Sequence, residues 1–163
     1  MTMCKDMGLT KMASAIDKCE DTSLSIFFTA KTHKEECPFR AIVSERGTWQ
    51  RIVGGFLQRA LSDLLVDDPF LIRKSQSVDD FLQGTYPPNV RSFSIDVKDL
   101  YYSLPPNLVC REVEKCIDRH GVVKFQISNG LSKGNFMELL TSYLHSAIIS
   151  YSGSLYIQRE RYA

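Results

Sequence analysis

No two of the cysteines Cys4, Cys19, Cys37, Cys110 and Cys116 form a Cys-x-x-Cys pair, and His33, His120 and His145 are scattered away from them. A zinc site of ordinary ligand spacing is therefore not expected, and the odd set of thiols reads as reduced and mostly buried. No run of about 18 apolar residues occurs, so no membrane-spanning helix and no membrane partner are expected. The opening Met1-Thr2-Met3-Cys4-Lys5-Asp6 has no apolar core of the kind that marks a secretory leader. An intracellular protein, nuclear or cytoplasmic, is the expectation. Internal repeats and low-complexity tracts are absent, which removes solenoids and linker-like chains from consideration.

Net charge is also scarce, at +1 from 20 basic and 19 acidic side chains. The total hides an uneven distribution: residues 1–60 carry +2, residues 61–107 carry −3 and residues 108–163 carry +2. A negative middle between basic flanks suits a carboxylate site that uses divalent cations to accept phosphate.

What is present is an ordinary folding composition, 44% hydrophobic and 24% charged, in a chain of 163 residues. That length suffices for one domain, or part of a larger one, with a substantial core. Residues 8–18 read as a short helix, and the polar stretch to Thr22 as an N-terminal segment outside the main domain. Residues 23–30 and 40–44 read as two strands joined by a charged turn, a hairpin with a basic tip. From Trp49 to Leu65 the apolar residues follow helical spacing, with Thr48 as the expected N-cap. Gly54-Gly55 in its middle costs roughly 1 kcal/mol per glycine relative to alanine, which suggests close approach by another backbone.

Further on, Ser77 to Gln83 reads as a short helix, and residues 84–89 as a loop. Pro105-Pro106 open a helix that stops at Gly121. Val122 to Ile127 reads as extended, Phe136 to Ile148 as an amphipathic helix, and residues 150–158 as a hairpin centred on Gly153-Ser154. The fold class is α+β.

One stretch carries chemistry. In Phe93-Ser94-Ile95-Asp96-Val97 an alternating apolar segment ends near a carboxylate, and Lys98-Asp99-Leu100-Tyr101-Tyr102-Ser103-Leu104-Pro105 follows as a tight turn and helix opening. A strand-end aspartate can hold metal ions because the sheet fixes its backbone while its side chain enters a cleft. The plainer reading is a half-buried strand that ends in a capped turn. The full run resembles motif A of reverse transcriptases. A second segment, Lys31-Thr32-His33-Lys34 followed by Arg40-Ala41-Ile42-Val43-Ser44, is similar to the P-K-x-H-K … R-P-I-V-S signature of Penelope-like element reverse transcriptases. Gly47 with Phe56-Leu57, Ser77 to Leu82, Phe136 to Leu144 and Leu155-Tyr156-Ile157-Gln158 match further family segments in the same order, so the resemblance spans about residues 23–158.

The resemblance implies a partial right-hand polymerase fold, with fingers at 23–90 and the N-terminal palm at 91–163. It implies RNA-templated DNA synthesis from dNTPs on an RNA template and DNA primer, assisted by two Mg²⁺ ions. Asp96 would bind metal together with the carbonyl of Val97. Lys31 and Arg40 would hold the triphosphate, a point charge and a fork suited to phosphate oxygens. Asp99 would contribute to nucleotide binding through its backbone, Tyr101 would lie against the sugar, and His33 and Lys34 would contact nucleic acid.

Departures accompany the match. Ala30 and Ala41 stand where the family has proline, and Arg161 where motif B begins with glycine. The family's aromatic-x-Asp-Asp hairpin has no counterpart, because Val66-Asp67-Asp68 and Val78-Asp79-Asp80 lack the aromatic and precede motif A. The expectation is a fragment of a retroelement polymerase that is inactive by itself. The alternatives are a nucleic-acid-binding or protein-interaction remnant and an unrelated α+β domain.

Overall fold

Helical spacing of apolar residues builds the part of this protein that excludes water. The structure, a computed structural model, describes residues 2–33, 35–64, 68, 71–72, 74–84, 86–87, 89–91, 93–97 and 100–157. Among them run α1 (Thr2–Asp6), α2 (Thr10–Ile16), β1 (Leu24–Ala30), β2 (Phe39–Ser44), α3 (Trp49–Ser62) and α4 (Gln76–Leu82). They are followed by α5 (Leu100–Ser103), α6 (Pro106–His120), α7 (Val122–Asn129), α8 (Lys133–Leu144), β3 (Ile148–Tyr151) and β4 (Ser154–Ile157). The class is α+β, and no helix among the described residues is long and apolar enough to cross a membrane.

The core lies between α3, α6, α7 and α8, with α1 and α2 closing one side. Val53, Leu57 and Ala60 of α3, one helical face, meet Ile117 of α6, Phe125 of α7 and Phe136, Leu139 and Leu140 of α8. Phe125 and Phe136 are wholly buried and meet edge to face, 4.9 Å between ring centroids at 89°. Such a pair contributes about 0.5–1.5 kcal/mol beyond the area it buries. At the rim, Lys133 Nζ lies 3.0 Å from Glu114 and 2.7 Å from Asp118, one turn apart on α6, and so ties α8 to α6. These carboxylates, Asp118 foremost, hold the Lys133 ammonium above its usual range.

The expected extended segment from Val122 to Ile127 is instead α7. β-branched residues favoured a strand, but the helix buries Phe125 in the core and leaves Val123 and Ile127, four apart, on its outer face. Gly121 (φ 101°) turns the chain into α7 and Gly130 (φ 76°) ends it, conformations that other residues adopt at a cost. The next helix stops at Leu144 rather than at Ile148, which instead opens β3. Its N-cap is Ser132, whose hydroxyl accepts from the Asn135 N–H at 3.1 Å. Thr48 occupies the expected N-cap position of α3, but its hydroxyl donates back to the Glu45 carbonyl at 2.8 Å and does not cap.

The two expected hairpins join in one sheet of order β2-β1-β3-β4, antiparallel within each hairpin and parallel where β1 meets β3. That junction pairs Leu24 with Ile149 and Ser25 with Ser150 across the whole helical core. Sheet and core both draw on the chain before and after residue 90, the expected division between fingers and palm. The core itself includes no strand side chain.

The strand expected at Phe93–Val97 is not formed: these residues have no regular structure and are exposed, Phe93 at 86% and Ile95 at 80%. From Asp68 to Pro105 every residue whose burial is described is exposed, and α4 has no buried residue. Alternating apolar residues make a strand only when a neighbour completes the ladder and a core takes one face. Neither is supplied to this stretch among the described residues.

Candidate functional site

The β1–β2 hairpin positions the basic residues. Strand alternation puts every second residue on one face, and directly opposed residues share a face. Thr29 opposes Arg40. One step beyond β1, the Lys31 N–H donates to the Pro38 carbonyl at 2.9 Å and continues the ladder. Lys31 therefore follows Thr29 by two residues and shares the face of Arg40, as its diagonal neighbour. Lys31 is half-buried, while Arg40 and His33 are exposed. No carboxylate among the described residues forms an ion pair with Lys31 or Arg40. Two cations on one face of a hairpin, without carboxylate partners among the described residues, can accept an anion with several oxygens.

The acidic half of the expected site is different. Asp96 is exposed, and Val97 is 56% exposed, both within the irregular stretch described above. No hydrogen bond or ion pair among the described residues links Asp96 to Lys31 or Arg40. Lys34 and Asp99 lie outside the described residues, and Tyr101 falls on α5 with its side chain also outside them. No group of three or more His, Cys, Asp or Glu residues with metal-binding proximity exists among the described residues. A two-ion Mg²⁺ site needs several oxygens converging from different segments. Among the described residues, one exposed carboxylate on a stretch without a strand partner does not fit that requirement.

Sequence reasoning missed a polar cluster where β2 runs into α3. Tyr143 on α8 donates its hydroxyl to Glu45 Oε1 at 2.6 Å. Burial, with help from the Glu45 carboxylate, pushes the Tyr143 phenol up to about 12. The ring lies against Gly54, where an added Cβ would sit 2.9 Å from the hydroxyl and 3.2 Å from the ring. The close approach expected at the paired glycines is therefore made by a side chain, not by a backbone, and at Gly54 alone. Gly47 (φ 80°) turns the chain between Glu45 and Thr48, where Asp21 bridges to Thr48. Gln50, buried on the first turn of α3, donates to the Ser146 carbonyl at 3.2 Å and so ties α3 to the approach to β3. Glu45 and Tyr143 are separated by 98 positions, so no local signal announces the pair.

This cluster borders a groove of about 730 Å³ between α3, α6 and α8, floored by Leu57, Leu140 and Val113. No family model, no curated protein and no solved structure matches the chain.

Proposed function

We propose that this chain carries the nucleotide-binding hairpin of a retroelement reverse transcriptase of the Penelope-like kind. The observation that supports the reading is the β1–β2 register, which sets Lys31 and Arg40 on one face without carboxylate partners among the described residues. In this reading the two cations hold the triphosphate of a dNTP, His33 and Lys34 contact the template–primer, and Asp96 with Val97 and Asp99 belongs to the metal and nucleotide side. Tyr101 gates the sugar. The polymerase fold, fingers with part of a palm, belongs to the same proposal.

The parent chemistry is nucleotidyl transfer. The described carboxylates do not fit a two-ion Mg²⁺ centre, so no catalytic step is assigned to these 163 residues. The exposed stretch around Asp96, without a strand partner among the described residues, favours a second reading, in which the polypeptide binds nucleic acid without reacting. Both readings put phosphate on Lys31 and Arg40.

Binding of a labelled primer–template, followed against salt, tests the shared claim. We expect affinity that falls with salt and is weakened by Lys31→Ala with Arg40→Ala. Removing one phosphate-binding cation flattens the log–log salt slope by about 0.9. Binding indifferent to both substitutions would refute the assignment. A primer-extension assay with Mg²⁺ and all four dNTPs separates the two readings: no incorporation is expected, and measurable synthesis by the purified chain would overturn the non-catalytic one.

A further inference from the structure

The groove on the helical core and the helix α4 each present an apolar surface that lacks a partner among the described residues. α3 and α6 both pack on α8. Between them the groove is lined by Leu57 and Leu61 of α3, Val109 and Val113 of α6, and Leu140 and Leu144 of α8. Its α3 wall runs from Arg51 to Ser62, about 16 Å along the axis at the helical rise. On α4, Val78, Phe81 and Leu82 recur at i, i+3 and i+4, the stripe of an amphipathic helix. Phe81 is 67% exposed and Leu82 59%, even with the Phe81 ring 5.4 Å from that of Tyr86. A helix of only seven residues is marginal in water and depends on tertiary packing of its apolar face.

We propose that α4 is the occupant of this groove and docks there as one more helix of the bundle, with Val78, Phe81 and Leu82 against the apolar lining. Shape supports the pairing first. A groove lined by three helices receives an amphipathic helix through anchors spaced i, i+3 and i+4, which is the spacing α4 carries. Seven residues extend about 10 Å, within the length of the groove. The exposed stretch from Phe93 to Val97 alternates with the period of a strand and presents no such stripe.

Charge and reach support it further. Arg51 lines the groove and Arg59 lies beside it on α3, both exposed and in no ion pair among the described residues. α4 brings Asp79, on the flank of its apolar stripe, and Asp80, so an acidic helix meets a basic wall. The tether, residues 63–75, spans at most about 43–47 Å, far more than the groove is long. A tethered helix also reaches its seat at a higher effective concentration than a separate molecule does. Lys31 and Arg40 do not line the groove, so the inference stands whether or not those residues bind nucleotide.

Hydrogen exchange of the full chain, read by mass spectrometry over α4, tests it. Exchange at least about tenfold slower than in a free peptide of the same sequence is expected, and the protection should not change on dilution. Phe81→Asp should abolish it. Arg51→Glu with Arg59→Glu leaves the sequence of α4 intact and should weaken the protection several-fold, and adding Asp79→Arg with Asp80→Arg should restore it. Exchange at the free-peptide rate in the wild type would overturn the proposal. So would protection that survives Phe81→Asp, or a charge reversal that has no effect or is not rescued by the reciprocal pair. Protection lost on dilution would assign the groove to a second copy and equally overturn it.

Discussion

Adjacent glycines on α3 should respond differently to the same substitution. At Gly55 an added Cβ would meet only Arg59 Nη1, at 3.8 Å, so Gly55→Ala should stabilise the protein by about 1 kcal/mol through helix propensity. At Gly54 the added Cβ would lie 2.9 Å from the Tyr143 hydroxyl and 3.2 Å from its ring. Ring and helix cannot both keep their places, so Tyr143 must swing away and give up its 2.6 Å bond to Glu45. A hydrogen bond to a charged group contributes about 1.5–3 kcal/mol, and partial exposure lowers that here to about 1–2 kcal/mol. The propensity gain at Gly54 is thus cancelled or exceeded, and the two alanine variants should differ by about 1–2 kcal/mol. In a domain of this size that separates their melting temperatures by about 3–6 °C. Urea unfolding followed by circular dichroism measures it, and a Tyr143→Ala background should make the two substitutions equivalent. Equal stabilisation by both alanines in the wild-type background would refute the close approach of Tyr143 to α3.

Two further outcomes follow from the same packing. Because burial and Glu45 raise the Tyr143 phenol from 10 to about 12, its neutral form is favoured in the folded state. The associated stability is complete below pH 10 and is lost as pH rises toward 12. The two-unit shift corresponds to about 2.7 kcal/mol, which partial exposure reduces to about 1–2 kcal/mol. Urea midpoints measured from pH 9 to 12 should therefore fall more steeply in wild type than in Tyr143→Phe, and parallel curves would contradict the assignment. Phe136→Ala removes a wholly buried ring from the centre of the core and should cost about 3–5 kcal/mol by the same unfolding measurement. A loss under 1 kcal/mol, well below that range, would mean that the α8 face is not the core.

Local pattern was enough to read much of this protein from its residues. Helical spacing marked α3 and α6 because their apolar faces repeat with the helix period, and Pro106 and Gly121 bound α6 for steric reasons. The β1–β2 hairpin, with Lys31 and Arg40 near its tip, was legible from β-branched and aromatic runs around a charged turn. What pattern could not supply was partnership between distant segments. Val122 to Asn129 is helical because Phe125 fits a cavity made by α3, α6 and α8, which overrides the β preference of its neighbours.

The parallel pairing of Leu24 with Ile149, and the bond from Tyr143 to Glu45, likewise depend on how α3 through α8 fold back. Conversely, Phe93 to Val97 has the alternation of a strand but no partner among the described residues, and stays exposed. Residue order set the periods, the turns and the chemistry of single side chains, because these depend on neighbours within a few positions. Tertiary structure alone decided which faces were buried, which strands met and which acids stood beside which bases, because burial and pairing depend on groups far apart in the chain.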